Sequence, residues 1–321
     1  MLSGMRPTGR LHLGNYFGAL SNWVRLQDRY ECFFFVADWH ALTTDYARGN
    51  DLRENSLQVA IDYLAAGLDP ERSAIFVQSA IPEHAELHLL FSMVTPLGWL
   101  ERVPSYKDMQ ESLGQDIHTY GFLGYPVLQS ADILMYKAAA VPVGEDQVAH
   151  VELTREIARR FNHLYGPLFP EPASILTSTP KLPGTDGRKM SKSYGNTIPL
   201  GAPPDAVRQA MLTMMTDPAR KRRTDPGNPE VCPVFGYHKV LSDEKTIGDV
   251  DQGCRSAGIG CVECKGWLFE SHQKQIGPIY ERRLHYAENP GAVLEVLRTG
   301  ARRAREVASE TMAEVRDRMK V

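Results

Sequence analysis

Two segments far apart in the chain carry residue types suited to phosphate chemistry. Near the start stands Ser3-Gly4-Met5-Arg6-Pro7-Thr8-Gly9-Arg10-Leu11-His12-Leu13-Gly14-Asn15-Tyr16. Glycines at 4, 9 and 14, with a His and an Asn in the same stretch, suit a strand-to-helix turn. There the backbone can approach a phosphate closely and helix N–H groups can face the anion. Many glycine-rich turns are only tight connections, so this segment alone decides little. The second segment is Gly187-Arg188-Lys189-Met190-Ser191-Lys192-Ser193. Two lysines bracketing serines in a glycine-flanked loop offer mobile positive charge and hydroxyl donors, which a departing pyrophosphate requires as charge develops on it. A plain surface loop with two lysines has the same composition.

A third constellation is sulfur. Cys232, Cys254, Cys261 and Cys264 leave 21, six and two residues between successive members. Thiolates at such spacings suit tetrahedral Zn²⁺ or an iron–sulfur cluster, since both take four sulfurs. In a reducing cytoplasm the clustering favours a metal over disulfides. The fifth cysteine, Cys32, stands alone beside an apolar run and reads as a core residue.

The elements that must hold these groups alternate in type. Residues 33 to 37 and 74 to 78 form short apolar runs of the kind buried parallel strands show. Between them Leu57, Ile61, Leu64 and Ala65 recur at helical spacing, and Gly67 follows as a helix C-cap would. This order predicts an α/β fold, a Rossmann-like doubly wound parallel sheet, over residues 1–194. From about Gly195 prolines punctuate the chain at 199, 203, 204, 218, 226 and 229, and the later pattern is helical. Residues 195–321 therefore read as a second, smaller helical domain. Its last stretch places Ala301, Ala304, Ala308, Val315 and Met319 on one stripe, an amphipathic helix able to pack back on the first domain.

Composition narrows the classes. The 321 residues, 43% hydrophobic and 23% charged, can bury one large core or a large and a small one. A net charge of −3 argues against a uniformly basic nucleic-acid surface, so any RNA contact must be local. The clearest basic run, Arg220-Lys221-Arg222-Arg223, taken alone reads as a solvated face. The apolar stretch Cys32 to Ala37 is far shorter than the ~20 residues a membrane span needs, and Met1 to Arg10 lacks a signal-peptide pattern. A cytoplasmic protein without membrane contact is expected.

Together and in this order, the first two segments resemble the HIGH and KMSKS signatures of class I aminoacyl-tRNA synthetases. The first reads His12-Leu13-Gly14-Asn15, with Asn in place of the second His. The second is an intact KMSKS at Lys189 to Ser193. The stretches Gly4 to Gly9, Ala37-Asp38-Trp39-His40-Ala41, Tyr125 to Leu134, Val141 to Gln147, and His150 with Leu153-Thr154-Arg155 are similar to tryptophanyl rather than tyrosyl enzymes. The resemblance covers nearly the whole chain.

It implies a reaction of ATP, Mg²⁺ and L-tryptophan to an adenylate, then transfer to the tRNA for tryptophan, by a homodimer. His12, Asn15, Lys189 and Lys192 would be the catalytic residues. Arg6, Pro7 and Thr8 would lie beside the triphosphate and substrate carboxylate, and Gly14 and Asn15 at the adenine and phosphates. Gly144, Glu145 and Asp146 would meet the ribose, Leu182 and Met190 the adenine, and Ser191 and Ser193 would complete the mobile ATP loop. Lys107 is a further phosphate ligand on the same basis. Tyr125 and Gln147 would hold the ammonium and carboxylate of tryptophan. Asp132 would accept the indole N–H, between walls from Val141 and Val143 and with Gln129 as an added polar contact. An indole needs such apolar walls and one acceptor. Asp132 could instead cap a helix beginning near Ile133. A subset of these enzymes carries a 4Fe–4S cluster at a closely similar cysteine spacing near the anticodon-recognising region. That implies the cluster, with Zn²⁺ as the alternative, at Cys232, Cys254, Cys261 and Cys264. Two rivals stand beside this reading, a tyrosyl enzyme and a tryptophan- or ATP-binding paralogue that has become a sensor.

Overall fold

The computed structural model describes residues 1–46, 51–103, 119–176 and 182–321. Strand β1 (Leu2–Met5) leads to a short helix α1 (Leu13–Asn15), which continues through a π-helical turn at Tyr16–Leu20 into α2 (Ser21–Leu26). Next come β2 (Cys32–Val36), α3 (Asp38–Asp45), α4 (Leu52–Ala66) and β3 (Ser73–Val77). The three strands pair in parallel in the order β1-β2-β3, with Leu2 opposite Phe33 and Cys32 opposite Ser73. Parallel strands need helical crossovers, which the helices between them supply. Both strands begin one residue earlier than the sequence pattern suggests. Gly67 ends α4 in the left-handed conformation, at φ +111°, as its position predicts.

Every residue of β2 is buried because helices cover both faces of the sheet. Alternation sorts its side chains. Phe34 and Val36 join Trp23 and Tyr63 in one core, whereas Phe33 and Phe35 join Phe76 and Phe91 in the other. Trp23 stacks on Phe34 at 5.2 Å, and Phe33 on Tyr136 at 4.4 Å.

The chain continues with α5 (Glu83–Val94), α6 (Leu97–Leu100), α7 (Tyr120–Met135), β4 (Ala140–Val143), α8 (Val148–Tyr165) and β5 (Ala173–Leu176). Strands β4 and β5 form a parallel pair, with β4 lying against β1. The architecture is the Rossmann-like α/β fold, with helices dominating the remainder. These are α9 (Pro204–Thr213), α10 (Pro233–Leu241), α11 (Glu244–Arg255) and the two long helices α12 (Cys261–Glu288) and α13 (Pro290–Met319).

Helix α12 lies along α4, and α13 returns to pack on β3. The close approach of α13 requires Gly300, where a Cβ would collide with the Ile75 carbonyl. Ala304, Ala308, Met312 and Val315 of the same helix then enter the core that holds Phe76. Among the described residues no helix is long and apolar enough to cross a membrane.

Candidate active site

The HLGN segment builds its own turn. The Asn15 N–H donates to His12 Nδ1 at 3.3 Å and the His12 N–H donates to Asn15 Oδ1 at 3.0 Å, a reciprocal cap that fixes the start of α1. Gly14 leaves room here, since a Cβ would crowd His12 Nδ1 at 3.0 Å and Met190 Sδ at 3.1 Å. Burial, with the charge of Lys192 adding to it, lowers the His12 pKa to about 4, so the ring is neutral near pH 7.

The KMSKS loop is brought to this turn by backbone pairing just beyond it. Leu13 N–H donates to Ile198 O at 3.0 Å, and Leu200 N–H to Leu11 O at 2.8 Å. Lys192 Nζ then donates to Gly9 O at 3.0 Å. Burial of its ammonium end lowers the Lys192 pKa; Asp62 opposes that fall and Arg6 adds to it. Lys189 is exposed and Met190 packs beside the core that includes Leu182. The loop is held by Asn196, which is buried. Its Oδ1 accepts the Ser191 N–H at 2.8 Å, and its Nδ2 donates to Asp186 Oδ1 at 2.8 Å and Lys189 O at 3.1 Å. Sequence reasoning passed over Asn196 because a single Asn after a loop has no spacing to mark it.

Next to these segments opens a cavity of about 390 Å³. All six residues expected around tryptophan line it: Tyr125, Gln129, Asp132, Val141, Val143 and Gln147. Arg6 and Gly144 line it too, as do Phe35, His40, Phe122 and His150. Arg6 Nη1 donates to Thr44 Oγ1 at 3.2 Å, and burial lowers its pKa. Tyr125 Oη lies 3.3 Å from His150 Nε2, and Gln129 Nε2 lies 3.5 Å from Gln147 Oε1. Pro7 and Thr8 face a neighbouring hollow shared with Asp45 and Asn55. Glu145 and Asp146 form an exposed turn between Gly144 and Gln147, which line the cavity. Lys107 and the Ser193 side chain lie outside the described residues.

Asp132 is not a helix cap. It sits in the last turn of α7, which begins at Tyr120, well before the start near Ile133 that the capping alternative needed. The carboxylate is 1% exposed. Burial alone would raise its pKa, but hydrogen bonds and charge from His40 and His84 outweigh that and hold it at about 2. Its partners His84 and Gln78 were not legible beforehand, since neither stands in a motif or at a spacing that points to a position 48 or 54 residues further on.

The four cysteines converge from three elements. Cys232 caps α10, Cys254 lies in the last turn of α11, and Cys261 and Cys264 open α12. Burial pushes the Cys264 thiol up to about 12, with the other three cysteines adding to the rise. Among the described residues no group of three or more His, Cys, Asp or Glu side chains stands ready to hold one metal ion. The basic run beside them is not uniformly solvated as its composition suggested. Arg220 is buried, donating to Ile259 O at 2.6 Å and Arg223 O at 3.0 Å, with Nη1 at 3.8 Å from Cys254 Sγ. A long side chain can reach inward from a surface run and satisfy buried carbonyls, which charge counting does not reveal.

A nucleotide-type sheet whose helix N-terminal turn meets a lysine loop defines the class to which the chain belongs. Residues 1–276 match the family model for tRNA synthetases class I (W and Y), and the chain is a member of that family. Among curated relatives it is 57% identical to the tryptophan–tRNA ligase of Thermotoga maritima, covering 99% of this chain and 98% of that protein. It is 46% identical to that of Deinococcus radiodurans over 99% and 98%. Among solved structures it superposes on Campylobacter jejuni tryptophanyl-tRNA synthetase complexed with ADP and tryptophan, with a TM-score of 0.89 at 35% identity, covering 100% of this chain and 99% of that one.

Proposed function

We infer that this chain activates L-tryptophan with ATP to the adenylate and pyrophosphate, then transfers tryptophan to the terminal ribose of its tRNA. The observation that carries the assignment is one ionised, buried acceptor, Asp132, in a cavity walled by Phe35, Val141 and Val143 beside the glycine-rich first segment, to which Lys192 of KMSKS bonds at Gly9 O. An indole is a large apolar body with a single N–H, and this is its complement. The relatives' tryptophan–tRNA ligase activity and the ADP and tryptophan bound by the Campylobacter enzyme support the same reading.

The reaction needs no protein nucleophile. Tyr125 and Gln147 orient the ammonium and carboxylate of tryptophan so that the carboxylate attacks the α-phosphate in line, with Arg6 near both. Gly14 and Asn15 meet the nucleotide at the helix turn, where neutral His12 donates or accepts without adding charge. Gly144, Glu145 and Asp146 receive the ribose, and Leu182 and Met190 the adenine. Lys189 and Lys192, with the Ser191 and Ser193 hydroxyls, stabilise the departing pyrophosphate. Mg²⁺, typical of the family, supplies charge neutralisation on the phosphates when bound.

Cys232, Cys254, Cys261 and Cys264 would hold an iron–sulfur cluster, with zinc as the alternative, near the surface that meets the anticodon. Arg220 supports a negatively charged centre here. It is buried with Nη1 at 3.8 Å from Cys254 Sγ, so thiolates held at one centre would sit beside its charge. Lys265, also buried, lies near the same thiols. Iron, zinc and absorption measurements on anaerobically purified protein distinguish the two. Exposed Leu89, Met93 and Leu97 supply apolar surface consistent with a homodimer, which sedimentation tests. The activity belongs in the cytoplasm, where tRNA is charged.

Pyrophosphate exchange driven by tryptophan and not by tyrosine, followed by charging of tRNA, is the expected result. Exchange driven by tyrosine would overturn the amino-acid assignment. Binding without exchange would favour a sensor.

A further inference from the structure

The carboxylate assigned to the indole is already fully engaged. Asp132 Oδ1 accepts from His84 Nδ1 at 2.6 Å and Gln78 Nε2 at 2.8 Å. Oδ2 accepts from His40 Nε2 at 2.7 Å and again from Gln78 Nε2 at 3.0 Å. A carboxylate offers about four lone-pair directions, and these contacts fill them. An indole N–H can therefore bond Asp132 only where one of these donors gives way.

The donors are not equivalent in position. His84 and Gln78 are 0% exposed and do not border the cavity. His84 is braced on its far side, with Nε2 at 2.7 Å from Tyr136 Oη. The Tyr136 ring is stacked on Phe33 and itself buried. A ring bonded through both nitrogens has no freedom to rotate. His40, by contrast, lines the cavity and approaches Oδ2 from that side.

We propose that Tyr136 and His84 are a positioning pair for tryptophan recognition: they fix the Asp132 carboxylate from behind, while His40 is the donor that cedes Oδ2 to the indole N–H. This rests on reading the cavity as the tryptophan site. Neither Tyr136 nor His84 touches the amino acid. Both act through the carboxylate, whose orientation sets the direction of the hydrogen bond and whose rear contacts keep it in place when His40 moves. Without the brace, a carboxylate in an apolar wall would turn toward whatever donor remained.

The test compares tryptophan with its sulfur isostere, β-(benzothiophen-3-yl)alanine, which keeps the apolar body and lacks the N–H. Both are measured in ATP–pyrophosphate exchange with the full-length protein. The wild type prefers tryptophan. Tyr136→Phe and His84→Ala should lower kcat/KM for tryptophan about tenfold, mainly through KM, as expected for losing roughly one hydrogen bond. The isostere should stay within about twofold. His84→Asn, whose amide nitrogen can replace Nδ1, should restore most of the preference. Equal losses for tryptophan and the isostere would overturn the proposal in favour of a packing role, as would no change in their ratio. If His84→Ala fails to fold, Tyr136→Phe decides alone, since it removes a single oxygen. If the wild type does not prefer tryptophan over the isostere, the assignment of the cavity itself fails, and the pair's role with it. A tryptophan complex should show the indole nitrogen on Oδ2 with the His84 contact retained. Indole bound away from Asp132 would overturn the exchange at His40.

Discussion

Arg283 Nε lies 2.7 Å from Asp62 Oδ1, with both side chains buried, and the other oxygen of Asp62 accepts the Leu11 N–H at 3.2 Å. Helix α12, which begins with Cys261 and Cys264, is thereby tied near its other end to the backbone beside His12. Arg283 also donates to Gln58 Oε1. Burial raises the Asp62 pKa, and Arg283 is the main influence opposing that rise. The pair joins the helical part of the chain to the segment that carries His12.

Arg283→Met should therefore cost about 3–5 kcal/mol of unfolding free energy, because it leaves a buried carboxylate without its counter-ion. Adding Asp62→Asn, which keeps an acceptor for Leu11 while removing the charge, should recover part of that loss. Urea unfolding of the two variants checks this. A double variant less stable than Arg283→Met would show that the unpaired charge is not the cause.

Lys192→Ala should slow adenylate formation by about 10²–10³ while leaving tryptophan affinity nearly unchanged. In the proposed role its charge would matter most as pyrophosphate departs, and an interaction made mainly in the transition state lowers turnover when lost. Single-turnover exchange with separate tryptophan titration measures both. Normal turnover with a raised KM for tryptophan would remove this role.

Asp132→Ala should cost tryptophan recognition about 1.5–3 kcal/mol, the range for a hydrogen bond to a charged group. The folded pKa of about 2 lies below the ordinary aspartate value, so the carboxylate's contribution to stability is present above about pH 4 and lost as pH falls toward 2. Across pH 5–9 the acceptor stays ionised. Tryptophan affinity should show no step from this group in that window, as isothermal titration at several pH values would reveal.

His12, His150 and His272 are each held down to about 4, all by burial first, with Lys192 adding at His12 and His40 adding at His150. Their folded pKa values lie below the unfolded value of about 6.5, so unfolded chains take up protons that the folded protein refuses. Stability is full above about pH 6.5 and should fall as pH drops from there to about 4. Thermal melts from pH 7.5 to 4 test the sign. A Tm constant down to pH 4 would contradict it.

Replacing Cys261 and Cys264 with Ser should abolish metal binding and weaken tRNA charging while largely sparing tryptophan-dependent pyrophosphate exchange. Four thiolates joined to one centre would restrict the segments around α10, α11 and the start of α12, none of which lines the cavity. Normal charging by the double variant would remove the recognition role. Equal loss of both activities would point to a folding role, transmitted along α12 through Arg283 and Asp62.

The sequence by itself determined the alternation of strands and helices, the cap at Gly67 and the HLGN and KMSKS segments, because these depend on neighbours in the chain: side-chain period, backbone conformation and local spacing. It also carried the six cavity residues, though only through resemblance, since spacing alone left Asp132 as a helix cap. Only the tertiary structure decided that α7 begins at Tyr120 and places Asp132 in its last turn, among His40, Gln78 and His84. Likewise it alone brought Lys192 to Gly9, turned Arg220 inward and paired Asp62 with Arg283 across 221 positions of chain. Such partners are selected by burial, where a polar group must find its complement wherever the fold supplies it. No local pattern records that choice.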